Sequence, residues 1–309
     1  MDSNYQSKFL GGLIGCGLGD AIGEMAFHSP QKELLDDHLQ HTSEFRYTDD
    51  TAMAIGLAEA IIESGDIVTQ NLGDRFRKNF EQEPWRGYAS GPPTIFSLVG
   101  RKGISYTQAA QSLFNREGSL GNGGAMRIAP VGLFYYDDKD LYEKAVRSAE
   151  ITHTHPLGTD GAAVQAKAVA EAVKLDPDRE FSSEKFIHEL IEFSKTEAVR
   201  FKMELVHELI RKDASPREAA VSIGQSVAVH ESMPFAIFSF LRYPDQFEQA
   251  IFCSILNGGD RDTLGAMTGS LSGAYLGITA IPLEWRAKLE NHDFIESLAL
   301  SLFKGRRKA

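Results

Sequence analysis

The stretch TAMAIGLAEAIIESG, residues 51–65, sets the fold class. Met53, Leu57, Ala60 and Ile61 fall on one face at helical spacing, and Gly65 ends the run. The same period returns at residues 140–151, 158–173, 183–193, 197–210, 247–256 and 263–276. Proline and glycine punctuate between these runs, at Gly91-Pro92-Pro93, His155-Pro156, Asp176-Pro177, Pro216, Pro234, Pro244 and Pro282. Strand signals are weak, the best being residues 128–136. The expectation is an all-α protein, a single compact multi-helix domain over residues 1–309 with ten or more helices and its site on connecting loops. The glycines at 11, 12, 15, 17, 19 and 23 do not give the dinucleotide spacing, and no strand precedes them. Gly15 and Gly19, four apart, more simply let a helix approach its neighbours closely.

Composition narrows the function. The 309 residues carry 43 Asp+Glu against 32 Lys+Arg, a net charge of −11, with 42% hydrophobic residues. That is an ordinary globular balance, long enough to bury a core without disulfides or a structural metal. The acidic excess argues against a general nucleic-acid binder. Cys16 and Cys253 are too few for a disulfide framework or a four-thiolate zinc site, and both lie in apolar runs. There is no run of 18 apolar residues, and the opening MDSNYQSKFLGG has Asp2 where a signal peptide is basic. A cytoplasmic monomer without a membrane partner is therefore expected.

Two acidic clusters open helical runs. Thr48-Asp49-Asp50-Thr51 precedes the first, and Gly258-Gly259-Asp260-Arg261-Asp262-Thr263 precedes another. Either alone reads equally as an N-cap. A helix needs one cap, however, and each cluster offers several oxygen-bearing side chains. Carboxylate and hydroxyl oxygens suit hard cations such as Mg²⁺ or Mn²⁺ and do not suit zinc. If the clusters meet, four carboxylates can hold two metals as in two-metal hydrolases.

Two further segments bear on binding. Gly118-Ser119-Leu120-Gly121-Asn122-Gly123-Gly124 presents backbone N–H groups suited to a phosphate, or is a flexible turn. Thr152-His153-Thr154-His155-Pro156 contains two histidines, for which a structural role competes with a ligand contact.

The ordered set GLIGCGLGDAIG, YTDDTAMA, GSLGNGGAMRIAP, ITHTHPLGTDGA and GGDRDTLGAMTGSLSGAYLG resembles the ADP-ribosylglycohydrolase family, from about Phe9 to about Leu289. Arg86-Gly87-Tyr88, Glu231-Ser232-Met233-Pro234, Ala236-Ile237 and Phe240-Leu241-Arg242 resemble the branch of ADP-ribosylserine and poly(ADP-ribose) hydrolases. The resemblance implies an all-α fold with two Mg²⁺ or Mn²⁺ ions in a cleft that binds ADP-ribose. It implies Thr48, Asp49, Asp50, Asp260, Asp262 and Thr263 as metal ligands. It assigns Gly118, Ser119, Leu120, Gly121 and Asn122 to the diphosphate and adjacent ribose, and His153 to the adenosine side. Leu120 stands where the serine branch has an aromatic residue, and Arg261 replaces a small one.

The family glutamate that follows the GDAIG motif falls, without a gap, at Phe27. Glu24 lies one helical turn earlier on the same face and is the expected substitute. The implied reaction is hydrolysis at C1″ of the distal ribose in an ADP-ribosylated protein or other ADP-ribose conjugate. Asp262, Glu24 or Asp50 would accept the water proton. Competing readings are an ADP-ribosylarginine hydrolase, a non-catalytic ADP-ribose-binding or structural protein, and a metal-dependent phosphatase.

Overall fold

The helix read from residues 51–65 runs Asp49–Ser64 and closes on Gly65. At a φ of 71° Gly65 adopts the left-handed conformation that suits glycine, and its N–H reaches Ile61 O at 2.8 Å. In the computed structural model, which describes residues 2–306, eighteen α-helices and two short 3₁₀ helices follow one another along the chain. Among the described residues there is no extended strand. Only isolated bridges occur, Phe45 with Leu289 and Gly121 with Ala228.

Residues 128–136 correct the one strand expectation, because Ala129–Phe134 is a helix with Pro130 in its first turn. Its side chains are buried all round, and a short apolar run has no periodicity to distinguish the two states. Pro156 and Pro216 begin helices as punctuation should. Pro234 instead lies inside Val229–Arg242, where its missing N–H leaves the preceding turn one hydrogen bond short.

The centre of the fold is the pairing of Asp2–His28 with Arg261–Leu276. A methyl group added at Gly11, Gly15 or Gly19 would lie 2.2, 2.2 or 1.9 Å from the carbonyl oxygens of Gly273, Gly269 and Gly265. The reverse additions at Gly265, Gly269 and Gly273 meet Gly19, Gly15 and Gly11 oxygens at 2.0 Å each. The falling partner numbers make the helices antiparallel, with backbone against backbone through glycines four apart. The close approach expected of Gly15 and Gly19 is therefore found, and its partner is the helix that follows the second acidic cluster.

One apolar cluster runs from Phe9 through Phe303. Asn4–His28 has the length and mean hydropathy of a membrane span, although it carries charged residues, and 83% of that window is buried inside the fold. Cys16 and Cys253 are free and buried, as expected.

Candidate active site

Thr48 and Asp260 occupy the N-cap positions of Asp49–Ser64 and Arg261–Leu276, yet neither side chain caps its helix. For the first helix a residue from another helix does the work. Asp20, fully buried on Asp2–His28, accepts from the Thr48 and Thr51 N–H groups at 3.0 Å each. It also accepts from the Thr51 hydroxyl at 2.6 Å and lies 2.8 Å from the Thr48 hydroxyl. Burial raises its pKa to about 6 even against these four hydrogen bonds. With the cap supplied in trans, Asp49 and Asp50 are not needed as the helix cap, although the Asp49 carboxylate accepts from its own N–H. Sequence reading passed over Asp20; the signal was a carboxylate in the middle of a stretch of small and apolar residues.

The glycine contact carries the two clusters together. An added methyl group at Gly23 would lie 2.6 Å from Asp262 Cα, so the end of the first helix rests on the start of the other. Asp50 is 1% exposed, with Oδ2 3.2 Å from Thr48 Oγ1 and Oδ1 buried without a hydrogen-bond partner. Burial, then the charges of Asp262, Asp20, Asp49 and Asp260, push its pKa well up. Asp49 is raised to about 7 by burial and by Asp20 and Asp260. Asp262 is raised to about 8 by burial, Asp260 and Asp20, and it also feels Glu24.

Thr263 is buried and its N–H donates to Asp262 Oδ1 at 2.9 Å. Asp260 Oδ2 accepts from Asn122 Nδ2 at 2.8 Å, which ties the second cluster to the glycine loop. Glu24 is half-buried beside Asp262, whereas Phe27 is 45% exposed. Among the described residues, no three of these acids bring ligand oxygens within 4.8 Å of one another, a spread that like charges favour. An uncapped set of carboxylates and Thr hydroxyls, with one buried orphan oxygen and acids as the charges around Asp50, fits a hard divalent cation.

The loop at 118–122 is less open than its glycines suggest. Gly118 N–H donates to Leu113 O, Gly121 N–H to Ser119 Oγ at 3.1 Å, and Asn122 N–H to Val227 O at 2.9 Å. Ser119 and Leu120 keep the uncommitted amides, which corrects the expectation of a row of five donors. Leu120 O accepts from Val229 N–H at 3.1 Å, so the loop is stitched to Val229–Arg242.

His153 faces this loop: a methyl group at Gly121 would lie 3.4 Å from its Nε2. Arg127, fully buried, donates from Nη2 to Thr152 Oγ1 at 2.7 Å, and that hydroxyl is 2.7 Å from His153 Nδ1. Arginine can only donate; with the threonine proton assigned to Nδ1, the neutral imidazole carries its own proton on Nε2. Burial, then Arg127, pulls the His153 pKa down to about 3, so the ring is neutral. Arg127 went unnoticed in the sequence because its partners come from three separate segments.

Four positions singled out in the sequence have structural duties. Gly258 and Gly259 take φ of 96° and 74°, and Gly259 lets the chain pass Gln225, whose O accepts from Asp260 N–H at 3.0 Å. Arg261 donates to Ile255 O at the end of Phe247–Ile255, away from the carboxylates. Arg86, 6% exposed, makes a two-pronged pair with Glu290 at 2.6 and 3.0 Å. It also stacks 4.1 Å over Tyr47 and donates to Tyr47 O at 3.0 Å, fixing the approach to Thr48.

An all-α scaffold thus brings carboxylates from two helix starts beside a glycine loop. The chain belongs to the ADP-ribosylglycohydrolase family, which it matches over residues 1–309. It is 32% identical to ADP-ribosylhydrolase ARH3 of Homo sapiens, with 96% of this chain and 93% of that protein covered. Against ADP-ribosylhydrolase ARH3 of Danio rerio the identity is also 32%, over 96% and 90%. A solved ADP-ribosylglycohydrolase-related protein complex shares the fold at a TM-score of 0.75 and 24% identity, covering 98% of this chain and 99% of that one. The chain is thus a glycosidase-type enzyme of the ARH3-like branch, as the motifs implied.

Proposed function

We propose that this enzyme hydrolyses the glycosidic bond at C1″ of ADP-ribose in O-linked conjugates, serine-linked ADP-ribose and poly- or O-acetyl-ADP-ribose among them. The reading rests on one observation. The buried, unpartnered Asp50 Oδ1 stands among Asp49, Asp260 and Asp262, with Asn122 joining that group to the loop at 118–122. Thr48, Asp49, Asp50, Asp260, Asp262 and Thr263 would hold two Mg²⁺ or Mn²⁺ ions. Such ions, when bound, supply Lewis-acid polarisation and fix the ribose hydroxyls.

The chain's own residues supply the rest. The free amides of Ser119 and Leu120 and the Nε2–H of His153 are donors suited to the diphosphate and adjacent ribose. Gly118, Gly121 and Asn122 shape that loop through their internal hydrogen bonds. Asp262, Asp50 or Glu24 would accept a proton from the attacking water. The serine oxygen would leave as a hydroxyl on taking up the proton given up by the water, whose oxygen bonds to C1″ in its place. The partly exposed Glu24 would favour the positive charge that builds on the sugar between the two events.

Glu24→Gln is expected to lower turnover by about a hundredfold or more, the low end for a general base, with ADP-ribose affinity kept. An unchanged rate would assign Glu24 to the scaffold. The substrate class is tested with serine-, arginine- and poly-ADP-ribosylated proteins, each with and without divalent cation. Preference for the arginine linkage, or full activity in EDTA, would overturn the proposal.

A dependence on pH follows from the raised carboxyl pKa values. Ordinary aspartates titrate near ~3.9 when unfolded, so a folded value near 6 to 8 stabilises the protonated fold. That contribution is complete below the unfolded value and is lost as pH rises through 6 to 8. Mg²⁺ should therefore raise the melting temperature of EDTA-stripped protein more at alkaline than at mildly acidic pH. The expected difference is at least about 2 °C, the shift that ~1 kcal/mol makes in a chain of this size. Equal shifts at both pH values would contradict the carboxylate assignment.

A further inference from the structure

Away from the acidic cleft, Ser183–Phe193 and Glu197–Arg211 pack on each other. We propose that Glu184, His188 and His207 form a second metal site, selective for a transition-metal cation such as Zn²⁺, that clips these two helices together. Glu184 and His188 are four apart and so share one helix face, and His207 meets them from the neighbouring helix. One ligand atom from each lies within 4.8 Å of the other two. Donors around tetrahedral zinc stand about 3.3 Å apart, from bond lengths near ~2.0 Å. Glu184 and His188 are exposed and free to turn through the remaining distance.

His207 carries the strongest mark of a ligand. Its Nε2 is buried and has no hydrogen-bond partner among the described residues. The two imidazole rings stand 4.8 Å apart at 64°, too steep to stack. Burial, then His188 and Arg211, lowers the His207 pKa against the pull of Glu184.

The frame is also rigid. The turn between the helices is held by Asp160, which accepts from the N–H groups of Lys195 at 3.0 Å and Thr196 at 2.7 Å. Two imidazoles and a carboxylate favour Zn²⁺, Ni²⁺ or Cu²⁺ over Mg²⁺, the opposite preference to the all-oxygen cleft. Three protein ligands leave a fourth position for water.

The test is calorimetric titration of Zn²⁺ into tag-free, metal-stripped full chain in a large excess of Mg²⁺, with Co²⁺ absorption as a second probe. The expected result is one equivalent of Zn²⁺ bound. His188→Ala and His207→Ala should each weaken it by at least about tenfold, the lower end of what even an outer-sphere change costs. The Co²⁺ ligand-field bands should fade in both variants and persist in Asp262→Asn. No Zn²⁺ binding under excess Mg²⁺, or binding lost in Asp262→Asn but unchanged in the histidine variants, overturns the site. Exposed His188 makes its alanine variant safe for folding, and circular dichroism checks His207→Ala.

Discussion

Asp262→Asn is expected to lower hydrolysis by roughly 10³-fold or more, about the 4 kcal/mol that charge stabilisation at such a centre supplies. The change keeps the shape of the side chain and leaves an amide oxygen to accept the Thr263 N–H that now lies 2.9 Å from Oδ1. It removes one negative charge from a group in which Asp20, Asp49, Asp50, Asp260 and Asp262 repel one another. Without divalent cations at alkaline pH, the variant should melt no lower than the parent, because like-charge repulsion is relieved. Activity and stability are thus expected to move independently. Retained turnover would remove Asp262 from the catalytic centre, and a large drop in melting temperature would recast it as a scaffold residue.

The second large effect lies in the scaffold. Gly19→Ala puts a methyl group 1.9 Å from Gly265 O and 2.3 Å from Gly265 C, and both obstacles are backbone. Alanine gains about 1 kcal/mol of helix propensity over glycine. Overpacking of this kind costs up to ~3 kcal/mol and sometimes more, so the net effect is strongly destabilising. Gly12→Ala is the control, since its methyl group meets Leu133 side-chain atoms at 3.1 Å, and these can move aside. Chemical denaturation should separate the two variants clearly, with Gly19→Ala far below parent and Gly12→Ala close to it. Equal stability for both would mean that the glycine contact is not what sets the helix spacing. Because Asp20 and Glu24 ride on the same helix, any Gly19→Ala protein that does fold should also lose activity.

The all-α class was legible because amphipathic helices mark themselves every 3.6 residues, as Met53, Leu57 and Ile61 do. The acidic clusters were legible because three oxygen-bearing side chains in a row exceed what one helix start needs. The short buried helix Ala129–Phe134 was not, since an apolar run of that length has no face to reveal.

Sequence by itself determined the all-α class and several of its helices, that Gly15 and Gly19 allow close packing, and that residues 48–51 and 260–263 concentrate oxygen-bearing side chains. Only the tertiary structure decided that Asp20 caps a helix it does not belong to, freeing Asp49 and Asp50. Only it put Arg261 on Ile255 O, Arg127 behind His153, and three of the five loop amides in hydrogen bonds within the fold. The reason is range. Periodicity and composition act between neighbours along the chain, whereas a buried polar atom takes whichever partner the packing delivers from another segment.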